Sequence, residues 1–396
     1  MFDVSCMLSL KLRAHSPARV LQGHPWVFAG ELAAPIPRDA HGKAAVLRDA
    51  RGRTLGAGLC STKSAIAWRR YSNDAKPFGK VFIEGAIAAA HNHREAMGAT
   101  GPVRRLIWSE ADHLPGLVVD QYGMALVVQS LTAGIESELK DICAALQARF
   151  KPEEIILRND APARRHEDLP LEAKTLSGNS YPARWLKIDG LEYFVDLLGA
   201  QKTGFYLDQR AQHVHVAQWA KGKRVLDGCC NQGAFGLQCA KAGAKSVLGV
   251  DSSASSVTQS EQNAVRNGLS EIAKFETANL FDWFTARRDE RNQFDLIILD
   301  PPSFAPKRGA LSGAMRGYKE LNLRAMHLLA PGGILATYCC SQNVTTSAFL
   351  DTVAEAANDA YCEARLLEVT SQPPDHPILL SCPETHYLKG AILQVE

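Results

Sequence analysis

The sequence predicts an α/β chain. It has a carboxyl-terminal parallel sheet covered by helices over residues 189–396, preceded by a small β-barrel over 1–85 and a small α/β middle region over 86–188. Three observations predict it. After residue 190, five apolar runs alternate with helical stretches, and continuous apolar strands between helices imply a parallel sheet buried on both faces. Residues 8–85 hold short β-type runs separated by Gly-rich turns. From 103 to about 185 the order is strand, turn, strand, helix, strand.

Taken in order, AAVLRD and AIAWRRY are barrel strands and RDARGRTLGAG is a turn-bearing segment between them. Residues 81–98 form an Ala-rich helix with Ile83, Ile87 and Met97 on its apolar face. LPGLVVDQYGMALVVQSL reads as a hairpin turning at Gln121-Tyr122-Gly123, SELKDICAALQARF as an amphipathic helix and EEIILRND as a strand. The stretch APARRHEDLPLEAKTLSGNSYP is polar and Pro/Gly-rich, as a connection would be. The parallel strands are KRVLDGCC, KSVLGVD, KFETANL, FDLIILD and GGILATYCC.

Composition narrows the class. With 46% hydrophobic and 22% charged residues the chain reads as globular, and no apolar run reaches the roughly 18–20 residues that span a bilayer. The start, MFDVSCMLSLKLRAH, has no basic leader before an apolar stretch, so no secretory signal is expected. The ten cysteines include two adjacent pairs, Cys229–Cys230 and Cys339–Cys340, and no CxxC spacing. That pattern suits neither structural bridges nor zinc, so no metal and a reducing cytoplasm are expected. Residues 1–85 hold 13 Lys+Arg against 6 Asp+Glu, a local +7 that leaves −5 for the remainder of a +2 chain. A basic module suits a polyanionic partner, although a solvated basic face has the same composition.

VLDGCCNQGAFG (225–236) is a strand, a turn and a helix start, the place where an open parallel sheet holds a nucleotide-like ligand. Gly228 and Gly233 allow close backbone approach, with Cys229 and Asn231 in the same turn. Asp251 ends the next strand, where a carboxylate accepts both hydroxyls of a ribose. NAD would use the same features, but the G-x-G-x-x-G fingerprint is missing and Asp227 would repel a pyrophosphate. An acid there suits the amino end of S-adenosylmethionine, or it simply caps the following helix. Asn279, after the third strand, can bond an adenine edge. QKTGFYLDQR (201–210), with Lys202, Tyr206, Asp208 and Arg210, is either a lid over the cofactor or a helix start with solvated charges.

LIILDPPSF (296–304) delivers Asp300 at a strand end, and ILATYCCS (334–341) delivers two cysteines about forty residues on. A carboxylate beside a planar base, with a thiol beside the carboxylate, suits covalent attack on a pyrimidine: the thiolate adds to carbon 6 and makes carbon 5 nucleophilic. Asp300 would bond N3 and also border the cofactor. Neighbours on a strand face opposite ways, so only one cysteine reaches the base; two buried structural thiols are the alternative.

HPWVFAGEL, EADHLPGLVVDQYG, KTGFYLDQR, VLDGCCNQGAFG, DPPSFAPKR, TYCCS and DHPILLSCPETHYLKG run in order from about residue 9 to the end. Together they resemble the large-subunit ribosomal RNA methyltransferase I family. The resemblance implies an amino-terminal PUA RNA-binding domain and a carboxyl-terminal Rossmann-like methyltransferase domain. It also implies S-adenosylmethionine as cofactor, 5-methylcytosine as product and Cys340, before Ser341, as nucleophile. Large-subunit ribosomal RNA is then the expected partner, with no membrane and with a homodimer left open. Ser303 stands where wider RNA cytosine methyltransferases carry a second cysteine, Asn279 replaces an acid, and GCCNQG lacks the usual aromatic residue. A guanine methyltransferase on the same scaffold and an RNA-binding assembly factor without turnover are the other readings.

Overall fold

The computed structural model describes residues 7–15, 17–199, 203–304 and 311–396; Lys202 and the tail of DPPSFAPKR lie outside them. Two compact units emerge: residues 1–184, 195–207 and 374–385 form the first, and 185–194, 208–373 and 386–396 the second.

In the first unit a five-stranded sheet runs in the order Leu8–Lys11, Ala44–Arg48, Thr54–Cys60, Ile66–Ser72, Trp26–Phe28. Its interior is Leu10, Leu12, Val27, Leu47 and Trp68, and the buried Trp68 indole donates to the Ala45 carbonyl at 3.1 Å. A Cβ at Gly58 would lie 2.3 Å from the Trp68 ring, so only glycine lets these strands meet. A second sheet runs Glu172–Thr175, Glu154–Asn159, Ala125–Ser130, Leu117–Tyr122, Val103–Trp108. Tyr122 pairs with Ala125, and Gly123 has φ +64°, so the hairpin turns at Gly123-Met124, not at 121–123.

Helix Lys80–Ala96 buries Ile83, Ile87, Ala90 and Arg94, one stripe at helical spacing. Met97, expected on that face, caps the helix and is 53% exposed; the stripe continues instead to Arg94, whose buried guanidinium pairs with Asp112. The helix crosses residue 85. Leu59 and Tyr71 of the first sheet share a core with Ile83, Ile87, Val119, Leu126 and Leu146.

The second unit is built on seven strands: β1 (Arg224–Gly228), β2 (Ser246–Asp251), β3 (Ala273–Thr277), β4 (Phe294–Leu299), β5 (Leu329–Cys339), β6 (Ala364–Ser371) and β7 (Lys389–Val395). Their order is β3-β2-β1-β4-β5-β7-β6, with β1 to β5 parallel and β7 antiparallel to both neighbours. The five apolar runs form β1 to β5. The antiparallel pair β6 and β7 was not expected, because β6 is an edge strand that exposes Leu366, Leu367 and Val369 and shows no apolar run.

The helices are α1 (Arg210–Ala217), α2 (Ala234–Lys241), α3 (Ala254–Arg266), α4 (Leu280–Ala286), α5 (Leu311–Leu328) and α6 (Thr346–Asp359). Trp283, Tyr318, Leu321, Phe349 and Val353 from α4 to α6 pack with Ile297, Leu299 and Leu335 of the sheet. On α2, Phe235 meets both Tyr338 of β5 (ring centroids 5.3 Å apart) and His213 of α1 (4.4 Å). Burial of the central strands explains their unbroken apolar runs. Among the described residues no helix is long and apolar enough to cross a membrane.

Candidate active site

Ladder register aligns the site. Gly228 pairs with both Val250 and Leu299, and Leu299 pairs with Thr337, so β1, β2, β4 and β5 deliver their carboxyl ends to one edge. In an open α/β sheet that edge, where strand order reverses between β1 and β4, is the ligand-binding crevice.

The turn after β1 is drawn tight. Cys229 and Asn231 both adopt positive φ (64° and 48°), and the amides of Cys229 and Cys230 converge on the Val250 carbonyl at 2.8 and 3.1 Å. Asp251 holds the turn against β2: one carboxylate oxygen accepts from the Asn231 amide at 2.9 Å and the other from Ser253 at 2.9 Å. Each carboxylate oxygen retains a second acceptor site for a hydroxyl. The two glycines are needed for packing: a Cβ on Gly228 would lie 2.9 Å from Leu280, and one on Gly233 2.9 Å from Phe275.

Asp227 lies fully buried beneath the turn. One oxygen accepts from the Gly236 amide in the first turn of α2 at 2.8 Å, so it does cap that helix, while the other has no hydrogen-bond partner among the described residues. Burial, together with the nearby carboxylates of Asp300 and Asp251, pushes its carboxyl up to about 7. The same surroundings hold the Cys229 thiol well above the ordinary range, chiefly through burial and then through Asp251, Asp300 and Asp227. A buried carboxyl raised in part by two nearby acids, with one oxygen unsatisfied among the described residues, fits a ligand that carries positive charge and hydroxyls. S-adenosylmethionine, with its sulfonium, ammonium and ribose, is such a ligand. Asp251 would hold the ribose, and the acid-lined turn the cationic end.

Asn279 is exposed and caps α4, its side-chain oxygen accepting from the Phe281 amide at 2.9 Å. The amide donors of its side chain are the part suited to an adenine edge. Asp208 accepts from the Tyr387 hydroxyl at 2.9 Å, and Arg210 is held by Asp189 through a Nε–carboxylate bond of 2.9 Å. Of the charges of the proposed lid, Asp208 and Arg210 are therefore engaged within the fold. Tyr206 is half-buried and belongs to the first unit.

Gln209, between those two charges, was not singled out from the sequence. It is 2% exposed, donates to Asp300 Oδ1 at 2.9 Å and leaves its own carbonyl without a partner. Its place inside KTGFYLDQR was the only available signal.

Asp300 and Cys340 leave neighbouring strands. The Cys340 thiol donates to the Pro301 carbonyl at 3.8 Å and is half-buried, whereas Cys339 is fully buried among Leu321, Phe349 and Leu335. Ser341, also buried, exchanges hydrogen bonds with Ser303 (2.8 Å) and Tyr318 (3.1 Å). The segment after β5 is thus tied to the Asp-Pro-Pro run and to α5.

A parallel sheet in this order with a binding edge of this composition defines a Rossmann-like S-adenosylmethionine-dependent methyltransferase. The S-adenosylmethionine-dependent methyltransferase profile matches residues 163–384, and a PUA-like domain profile matches 10–73. A ribosomal RNA large subunit methyltransferase I from Shewanella amazonensis is 37% identical over 396 residues, 98% of this chain and 99% of the relative. Another so named, from Photobacterium profundum, is 37% identical over 93% of this chain and 94% of its own. The chain belongs to the ribosomal RNA large subunit methyltransferase I family. In fold it is similar to a Streptococcus mutans protein described as a SAM-dependent methyltransferase (TM-score 0.83, 19% identity, 98% of this chain and 100% of that one). It is likewise similar to a methyltransferase crystallised with SAH (TM-score 0.84, 19% identity, 98% and 100%).

Proposed function

We propose that the chain methylates carbon 5 of a cytidine in large-subunit ribosomal RNA through a covalent bond to Cys340. The observation that carries this reading is the placement of Asp300 and the half-buried Cys340 at the ends of adjacent strands, the thiol resting on the Pro301 carbonyl. The names of the relatives support the substrate class.

The target base first leaves its stack, at a cost of a few kcal/mol. The Cys340 thiolate then forms an Sγ–C6 bond, and the C5–C6 π pair moves to carbon 5. Asp300 protonates or hydrogen-bonds N3 and favours this addition; Gln209 orients its side chain through Oδ1. S-adenosylmethionine, held by Asp251 and the acid-lined turn, would supply a methyl group to the electron pair on carbon 5, the S–CH3 bonding pair staying on sulfur to leave a neutral thioether. The C5 proton then passes to solvent, the double bond re-forms, and the Sγ–C6 bond breaks to return the thiolate.

Residues 1–85, basic and PUA-like over 10–73, would engage RNA, with 86–188 as a middle domain and 189–396 as the catalytic domain. Ribosomal RNA as substrate implies a cytoplasmic location. Mass spectrometry of ribosomal RNA nucleosides from cells with and without the protein tests the reading. A 5-methylcytidine that depends on the protein is expected; a methylated guanine in its place would refute it.

A further inference from the structure

Lys389 opens β7 and is 1% exposed. It pairs across the ladder with Cys339, and its ammonium reaches past the end of β5 to the Ser341 carbonyl at 2.6 Å and the Tyr387 carbonyl at 3.0 Å. Ser341 directly follows Cys340, so the charge is buried against the segment that presents the thiol. An ammonium has three N–H donors and here uses two on carbonyls. Among the described residues no carboxylate comes within 4.0 Å of it. Buried charges are ordinarily paired, because carbonyl dipoles alone do not neutralise the ion.

We propose, on the reading that Cys340 is the nucleophile, that Lys389 is a positioning residue which supplies the counter-charge of the Cys340 thiolate. The thiol proton leaves to water, the ammonium keeps its three, and the resulting pair is neutral. The surrounding groups leave the two sulfurs as the anion-forming partners. Tyr318, facing from α5, is pushed far up by burial and stays a phenol. His386 is lowered by burial and then by Lys389 itself, so it stays neutral. Burial lowers Lys389, whereas the Cys339 and Cys340 sulfurs, once ionised, raise it. Of the two, Cys339 is sealed in the core and Cys340 is half-exposed, so Cys340 is the thiol with a path for its proton to water.

Iodoacetamide alkylation of the full-length protein across a pH series, read peptide by peptide by mass spectrometry, tests this without RNA or S-adenosylmethionine. Cys340 should reach half-maximal alkylation about one pH unit or more below an ordinary thiol, near 8.5. Lys389→Met should move that midpoint up by about one unit or more, and Lys389→Arg should largely restore it. A wild-type Cys340 that titrates as an ordinary thiol would overturn the proposal whether or not either variant folds. So would an unchanged midpoint in a folded Lys389→Met protein. If the midpoint behaves as expected while Cys340→Ala still methylates RNA, the ion pair stands and the nucleophile assignment fails.

Discussion

At the ends of β1, β2 and β4 three acidic residues lie near one another, and one of them, Asp227, is buried with an oxygen that no described residue satisfies. At the end of β5, on the same edge, the arrangement is inverted: a buried ammonium, Lys389, bonds to two carbonyls near two thiols. One region concentrates negative charge, and the other holds a buried positive charge bonded to carbonyls. A methyl donor with a sulfonium and a nucleophilic thiolate have the complementary charges. Strand order β2-β1-β4-β5 sets the two environments side by side, with Asp300 between them.

The largest effect should come from the thiol region. Cys340→Ala should lower methylation by about 10⁴-fold or more, the scale of losing a covalent nucleophile, with S-adenosylmethionine affinity unchanged by calorimetry. Cys339→Ala should keep substantial activity and lose some stability through a small core cavity. RNA bearing 5-fluorocytosine at the target should trap a covalent complex at Cys340, since fluorine does not leave as a proton does. An adduct mapped to Cys339 would reverse the two cysteines' roles.

In the acid region, Asp251→Ala should weaken S-adenosylmethionine binding by about 1.5–3 kcal/mol, the range for charge-assisted hydrogen bonds. Wild-type affinity in that variant would remove Asp251 from the site and break the proposed division of charge.

RNA binding should respond more gently and to neither region. Arg38, Lys43 and Arg51 are exposed on the connections between the strands of the basic first sheet. Replacing each with Gln should lower the log–log salt slope by about 0.7–0.9 for every phosphate that is no longer neutralised. These point variants are preferable to deleting 1–85, because Leu59 and Tyr71 belong to a core shared with residues beyond 85. An unchanged slope in the triple variant would free this face of any role with RNA.

The smallest effect sharpens the account of Asp227. Its folded-state value, about 7, exceeds the ordinary 3.8, so the folded protein binds more protons between those values. Stability of the ligand-free protein should therefore fall as pH rises from about 4 to about 7, and Asp227→Asn should lose that slope. Binding of a cation favours the carboxylate, so calorimetry in buffers of different ionisation heat should detect a fraction of a proton released near neutral pH. No release, with the slope intact in the variant, would mean that Asp227 only caps α2.

The parallel sheet was legible because buried strands must be apolar along their length and such runs stood out between helices; β3, AKFET, is a part-exposed edge strand and carried the weakest signal. The edge pair β6 and β7 was not, since β6 faces solvent and its sequence shows no buried run. Met97 illustrates a related miss: a hydrophobic residue at plausible spacing sits past the last helical turn, while the buried stripe ends on a paired arginine. The acids of the site were legible as strand-ending residues, because the chain must turn there and the carboxylate meets free amides. Gln209 and Lys389 were not, because neither residue type nor spacing reveals which polar side chain is buried without a full set of partners.

Sequence by itself determined the order of the elements, the strand ends that carry Asp227, Asp251, Asp300 and Cys340, and the family to which their motifs point. These are local properties, set by periodicity, turn chemistry and residue type along a short stretch of chain. Only the tertiary structure decided that Cys340 is half-exposed while Cys339 is sealed, that Asp208 and Arg210 are already engaged, and that Lys389 lies beneath the thiol segment without a carboxylate. Burial and charge pairing depend on groups that are distant in sequence; Lys389 and Ser341 are 48 residues apart and meet only when β7 inserts antiparallel beside β5.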